Sequence, residues 1–358
     1  MVANPIDLIK NEVSRKKLDA MLFTDLLNIR YLSGYSGSSG LLLVAPGSAD
    51  FLTDFRYKEQ SAREVKGARI TIITTSLMQE MSQLPSFKKA RTVGIEEQDL
   101  TYAQFQQLQK LAPKKKFVPV SNLAEELRKV KSAAEIQKIA KAAHIADQAF
   151  ASIVKFIKPG MTERLIAAQL DHTLKMLGST NPSFDSIVGS GPNGALPHAQ
   201  PGARKVRKGD FIVLDFGAIW QGYHSDMTRT VCLGRPTEKH LKIYDIVTRA
   251  QLAGLKAVRS GIKGLEADRA ARQIIDQAGY GKYYGHGLGH GVGLAVHESP
   301  NMGMKSENIL PVNSIVTVEP GIYLPGWGGV RIEDLVAVTK TGCRILSRSP
   351  KKLITIKA

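Results

Sequence analysis

Residues Phe211 to Phe216 read FIVLDF, a buried-strand pattern of β-branched and aromatic side chains that carries one carboxylate, Asp215. Burying a carboxylate without a partner costs on the order of several kcal/mol, so a fold that contains this strand must bring a cation, a metal or dense hydrogen bonding to Asp215. Gly217 and Gly222 then mark a turn, and His224-Ser225-Asp226 is expected on the next strand, folding back beside the first. That return brings Asp215 and Asp226 together. Two carboxylates so placed repel each other unless positive charge lies between them.

The pattern recurs later in the chain. IVLDFG around Asp215 is matched by IVTVEPG around Glu319; each strand is followed by a second carboxylate, Asp226 or Glu333, and preceded by a histidine, His198 or His297. Upstream, KFIKPGMTERLIAAQLDHTLKMLG, ending at Gly178, lies over KAVRSGIKGLEADRAARQIIDQAG, ending at Gly279, with a helix end, a Gly and an amphipathic helix closed by Gly in both. Helical similarity of this kind is common, so the matched carboxylates carry the argument. Two halves packed about a pseudo-twofold axis bring four carboxylates to its centre, where only cations make them tolerable.

Between the two carboxylate strands lies YYGHGLGHGVGLAVHESP, with His286, His290 and His297, and glycine at 285, 287, 289, 291 and 293 lets backbone approach a site closely. Four carboxylates and an imidazole form a hard, oxygen-rich set suited to two divalent ions, Mn²⁺ first and Co²⁺ or Zn²⁺ as alternatives. Two such ions about 3.5–4 Å apart lower the pKa of water between them and polarise a carbonyl, so the predicted reaction is metal-assisted hydrolysis.

At 358 residues the chain is expected to form two domains. Short buried strands at 20–24, 40–45, 50–53 and 70–74, with helices at 6–17 and 102–111, predict a small α/β domain over residues 1–120. A boundary near Pro119 starts the second domain, 121–358, with a long helical region in which Ser132 and Glu135 have capping-box spacing. Asn28 to Gly40, rich in Gly and Ser, reads as a loop, either mobile or an ordinary connection. No apolar run reaches membrane-spanning length and the N-terminus has no signal-peptide h-region, so a cytoplasmic location without a membrane partner is expected. Cys232 and Cys343 offer no disulfide framework, in keeping with a reducing compartment. The net charge of +17 is scattered, with short clusters at 114–116, 204–208 and 351–352 and no aromatic-interleaved module, so it reads as a solvated surface and no nucleic-acid partner is expected.

The segments GPNGALPHAQP, VLDFGAIWQGYHSDMTRT, GHGLGHGVGLAVHESP, TVEPGIY and GGVRIED together resemble the pita-bread metallopeptidases, which include methionine aminopeptidase, aminopeptidase P and prolidase. The resemblance implies an α+β catalytic domain of the creatinase/aminopeptidase type with an internal pseudo-twofold duplication. It also implies metal ligands at Asp215, Asp226, His290, Glu319 and Glu333, with Glu319 doubling as general base or proton shuttle. NIRYLSGYSGSSG and FLTDFRY resemble the creatinase-like N-terminal α/β domain of small bacterial aminopeptidase P and Xaa-Pro dipeptidase proteins, which methionine aminopeptidase lacks. Similarity to the Xaa-Pro enzymes implies that His198 and His297 stabilise the tetrahedral intermediate or the proline leaving group, and that His286 and Arg331 line the substrate pocket; a hydrogen-bonded core role is the alternative for His286. An Xaa-Pro bond is a tertiary amide without an N–H, which makes a dedicated pocket plausible.

The expected activity is therefore release of the residue ahead of proline, with aminopeptidase action on longer peptides favoured over prolidase action on dipeptides because the N-terminal segments are more like aminopeptidase P. Creatinase shares the architecture but works without metal, and the five retained ligands argue against it. A non-enzymatic binding protein on this fold is the remaining alternative. Resemblance also implies a homodimer.

Overall fold

The computed structural model describes residues 4–357. Two compact units divide between Arg128 and Lys129.

The first unit is built on a six-stranded sheet of β1 (Ala20–Phe23), β2 (Leu41–Ala45), β3 (Ser48–Thr53), β4 (Arg69–Ile72), β5 (Thr92–Glu96) and β6 (Lys116–Val120), in the order β4-β3-β2-β1-β5-β6. The pairs β1–β2 and β2–β3 are antiparallel and the others parallel. The first four strands fall where their apolar runs predict. β5 and β6 escape that reading because Gly94 and Pro119 interrupt them and edge strand β6 is half exposed. The segment expected to be a loop from Asn28 begins inside a helix, Leu26–Ser33. Asp25 caps it by accepting from the Leu27 N–H at 2.9 Å, Gly34 closes it at φ 85°, and its buried face includes Ile29 and Leu32. Its C-terminal cap, Gly34, opens a Gly/Ser-rich stretch that hides the helix end, and only residues 34–40 are irregular or nearly so.

The helical stretch beyond Pro119 is broken into Leu123–Arg128 and Ala133–Phe156, the second opened by the expected capping box between Ser132 and Glu135. From there the second unit consists of two similar halves. The helices Ala133–Phe156 and Glu163–Met176 pack Ile145, Phe150, Ile153, Ile166 and Leu170 against a sheet of β7 (Ile187–Ser190), β8 (Phe211–Phe216), β11 (Met227–Leu233) and β19 (Ile354–Ile356), with the hairpin β9 (Ile219–Trp220) and β10 (Tyr223–His224) beside it. Full burial of each Ile, Leu or Phe side chain contributes roughly 1.5–3 kcal/mol. The helices Glu238–Ala257 and Gly264–Gln277 likewise cover a sheet of β12 (Gly289–Gly291), β13 (Glu298–Met302), β14 (Ile315–Val318), β17 (Asp334–Val338) and β18 (Cys343–Ile345), with the hairpin β15 (Gly321–Leu324) and β16 (Gly328–Arg331).

The duplication read in the sequence is a duplication of geometry. Gly160 and Gly261 take φ of 85° and 86° at equivalent turns, and Gly178 and Gly279 take 100° and 82° after equivalent helices. Residues Thr162 and Lys263 form matching antiparallel bridges to Lys205 and Ile309. β8 pairs antiparallel with β11 as β14 does with β17. No helix among the described residues is long and apolar enough to cross a membrane.

Candidate metal centre and active site

The halves meet where β11 lies beside residues 331–334. The Glu333 N–H donates to the Thr228 carbonyl at 3.1 Å, and the Arg331 N–H to Thr230 Oγ1 at 3.2 Å. Behind this seam Arg229 is buried; it pairs with Asp334 at 2.7 Å and donates to the carbonyls of Thr228, Glu333, Ser349 and Pro350.

The carboxylates stand on the other side. Asp215 is on β8 opposite Thr228 of β11, Asp226 immediately precedes β11, Glu319 follows β14, and Glu333 sits between β16 and β17. His290 is carried by β12, whose flanking Gly289 admits no side chain: a Cβ there would lie 2.2 Å from the Thr317 carbonyl. His290 Nε2 lies 3.4 Å from Glu319 Oε1 and 3.6 Å from Asp226 Oδ2. One donor atom each from Asp226, His290 and Glu333 falls within 4.8 Å of the others.

Each of three carboxylates is oriented through one oxygen. Arg331 holds Asp215 Oδ2, the Thr228 hydroxyl donates to Glu333 Oε2 at 2.6 Å, and the Thr317 hydroxyl to Glu319 Oε1 at 3.0 Å. Asp215 Oδ1, Asp226 Oδ1 and Glu333 Oε1 are buried and accept no hydrogen bond from the described residues. Burial pushes the Asp226 and Glu333 carboxyls well above the usual carboxylate range, reinforced by repulsion among the four acids, and it raises Glu319 too. Orphaned charged oxygens cost more than the roughly 1–3 kcal/mol of an unsatisfied neutral group. Oxygens converging with an imidazole are what a divalent cation satisfies, so the donor set fits metal.

The imidazoles are arranged to match. His290 Nδ1 lies 3.0 Å from the Gly291 carbonyl, which places the proton on Nδ1 and leaves the Nε2 lone pair facing the acids; burial lowers its pKa and keeps the ring neutral. His286 likewise donates from Nδ1 to the Gly287 carbonyl at 2.8 Å, so its Nε2 accepts from the Tyr323 hydroxyl at 2.9 Å. Tyr323 in turn accepts from Arg331 Nη1 at 2.8 Å. The His297 ring stands edge-on to that of His290 at 4.3 Å between centroids.

A cavity of about 470 Å³ opens over this floor, and all nine candidate residues from the sequence line it, together with Phe184, Ile187, Pro197 and Gln200. His198 and His297 are exposed members of this lining. Arg331, expected to line the substrate pocket, is in the cavity lining and is bonded to the protein there: besides Asp215 and Tyr323 it donates to Thr228 Oγ1 at 3.0 Å and the Pro197 carbonyl at 3.2 Å. Sequence reasoning missed Thr228, Thr317 and Tyr323. The threonines each stand two residues from a candidate acid, Asp226 and Glu319, a spacing that puts strand neighbours on one face. No pattern in the sequence singles out Tyr323.

The family model described as metallopeptidase family M24 matches residues 137–340, and the one described as creatinase/prolidase N-terminal domain matches 5–130. The chain is 40% identical to an uncharacterised peptidase of Bacillus subtilis, over 98% of this chain and 99% of that protein. Among solved structures, an Xaa-Pro dipeptidase from Bacillus anthracis superposes with a TM-score of 0.96 at 39% identity, over 98% of this chain and 99% of the other. An X-Pro aminopeptidase from Thermotoga maritima gives 0.90 at 35% identity, over 96% and 100%.

Proposed function

The chain belongs to metallopeptidase family M24, and from that membership we propose that it hydrolyses the bond between an N-terminal residue and a following proline, acting on peptides longer than two residues. The observation that carries the reading is the trio of buried, unsatisfied oxygens on Asp215, Asp226 and Glu333 beneath a substrate-sized cavity. In this proposal Asp215, Asp226, His290, Glu319 and Glu333 hold two divalent ions, Mn²⁺ before Co²⁺ or Zn²⁺. When bound, the ions supply Lewis acidity, lowering the pKa of water and polarising the scissile carbonyl.

The remaining work falls to the chain's own groups. Glu319, fixed through Oε1 by Thr317, takes a proton from the attacking water and delivers it to the proline nitrogen, which lacks the N–H of an ordinary peptide. His198 and His297, in the lining of the cavity, donate N–H groups to the charge that develops on the carbonyl oxygen or the leaving nitrogen. His286, held by Tyr323 and the Gly287 carbonyl, lines the pocket as a neutral group, with burial lowering its pKa. Phe184 and Ile187 supply an apolar wall.

The preference for longer peptides has support in the lining. Arg331 is the one Lys or Arg lining the cavity among the described residues, and each of its three nitrogens already donates to the protein, to Thr228, to Pro197 and Tyr323, and to Asp215. A dipeptide places its free carboxylate beside the reacting bond and would find there only this guanidinium, already paired with Asp215. The second reading, a dipeptidase, is favoured by the likeness to the Bacillus anthracis Xaa-Pro dipeptidase. The two are separated by kcat/KM for an Xaa-Pro-Xaa tripeptide relative to an Xaa-Pro dipeptide, with Mn²⁺-loaded protein and a chelated control. A ratio well above one supports the aminopeptidase; a ratio well below one makes the chain a prolidase; cleavage of neither sinks both. The homodimer expected from resemblance is checked by sedimentation velocity.

A further inference from the structure

The mechanism gives no part to Glu163, although its carboxylate is fully buried at the first position of the helix Glu163–Met176. Its partners all belong to one segment. Oε1 accepts from the Ser190 N–H at 2.8 Å and the Ser190 hydroxyl at 2.6 Å, the Asn193 amide bonds both oxygens at 3.1 and 3.0 Å, and the Gly202 N–H reaches Oε2 at 3.3 Å. The backbone adds Glu163 N–H to the Arg204 carbonyl and Arg164 N–H to the Gly202 carbonyl, both at 3.0 Å. Glu163 therefore gathers the start and the end of the loop 190–204 onto one carboxylate.

That loop carries His198. The His198 side chain is exposed and no described residue donates to or accepts from its ring, so its place over the cavity is set by the backbone beneath it. Pro197 is tied by its carbonyl to Arg331, and Ala199 is buried with its Cβ close to Gly189. Each end of the intervening backbone leads back to Glu163. A buried carboxylate that spends its hydrogen bonds on a single loop fixes that loop's conformation, since losing any donor leaves charge unsatisfied.

We propose that Glu163 is a positioning residue for the reaction, holding the loop 190–204 so that His198 stands over the reacting bond. The inference rests on the role proposed above for His198. Glutamine at 163 keeps the shape but turns an N–H donor toward Asn193 and Gly202, which are themselves donors. A displacement of about 1 Å at a catalytic group can cost about 10²-fold in rate.

The test is a double-mutant cycle on Mn²⁺-loaded protein, measuring kcat/KM on an Xaa-Pro peptide for E163Q, H198A and the double variant, with amide hydrogen exchange on each. The expected result is a loss of about 10- to 100-fold for E163Q, mostly in kcat, and less than about twofold further loss when it is added to H198A. Exchange should rise in residues 190–204 and stay unchanged in 211–216 and 315–318. Multiplicative losses, wild-type activity in E163Q, or lost activity without faster exchange in the loop would each overturn the proposal. Wild-type activity in H198A would overturn the role of His198 and the positioning proposal with it, whereas multiplicative losses overturn the positioning alone. Should E163Q fail to fold, N193A removes one loop partner while keeping the carboxylate, and the same cycle with H198A decides.

Discussion

Replacing Arg229 by methionine removes the ion that joins the two halves of the catalytic unit behind its acids. The guanidinium is 1% exposed and directs all its N–H groups to fixed partners: Asp334, and the carbonyls of Thr228, Glu333, Ser349 and Pro350. Methionine fills similar volume but satisfies none of them. Breaking a buried ion pair from one side costs about 3–5 kcal/mol. Asp334 keeps Lys351 at 2.8 Å and Gln251 at 2.9 Å, which places R229M nearer 3 kcal/mol, while the orphaned carbonyls push the other way. For a unit of this size each kcal/mol moves the melting temperature by about 2–4 °C, so a fall of roughly 6–20 °C is expected in calorimetry of the metal-free protein. The variant also frees the Glu333 carbonyl, so its affinity for Mn²⁺ should drop about 10- to 100-fold in chelator competition. A melting temperature within 2 °C of the parent, with unchanged affinity, would refute the reasoning that this pair fixes the seam.

Other outcomes follow from the same contacts. Thr228→Val keeps the shape but loses the hydroxyl shared by Glu333 and Arg331; chelator competition should show metal affinity about 10- to 100-fold weaker. In the first unit, burial pushes the Glu96 carboxyl up from 4.5 to about 7. The fold then binds that proton more tightly than the unfolded chain does, so Glu96 lowers stability progressively as pH rises from about 4.5 to about 7 and no further above it. Unfolding midpoints measured across that range should converge with those of Glu96→Gln at the acid end, and a parent that gains on the variant with rising pH would contradict the assignment. Removing divalent metal with a chelator should abolish peptide cleavage and lower the melting temperature of the loaded protein, because a ligand that binds only the native state stabilises it by mass action.

Much of the site can be seen in the sequence because its parts are local. A carboxylate inside FIVLDF is conspicuous in a single strand, the match at IVTVEPG repeats it, and the glycines at 160 and 261 or 178 and 279 mark the repeat with equal backbone angles. The rest depends on contacts that no single element encodes. Thr228 meets Glu333 across more than a hundred residues, and Arg331, which lines the cavity, pairs with Asp215 just as far away, a contact that GGVRIED by itself does not reveal. Glu163 looks like an ordinary acid in the first turn of a helix until the loop it gathers is seen. In the first unit the helix Leu26–Ser33 is masked because its closing residues run into a Gly/Ser stretch, and β6 because an edge strand with Pro119 and half-exposed faces lacks strand periodicity.

The proposed activity requires that the four acids and His290 hold a pair of divalent ions. Native mass spectrometry of Mn²⁺-loaded protein, with the same measurement on Asp226→Asn, tests it most directly. Two ions per chain in the parent, fewer in the variant, and loss of peptide cleavage in step are the predicted result; a parent that retains no ion under saturating Mn²⁺, or a variant that binds and cleaves as the parent does, would contradict it.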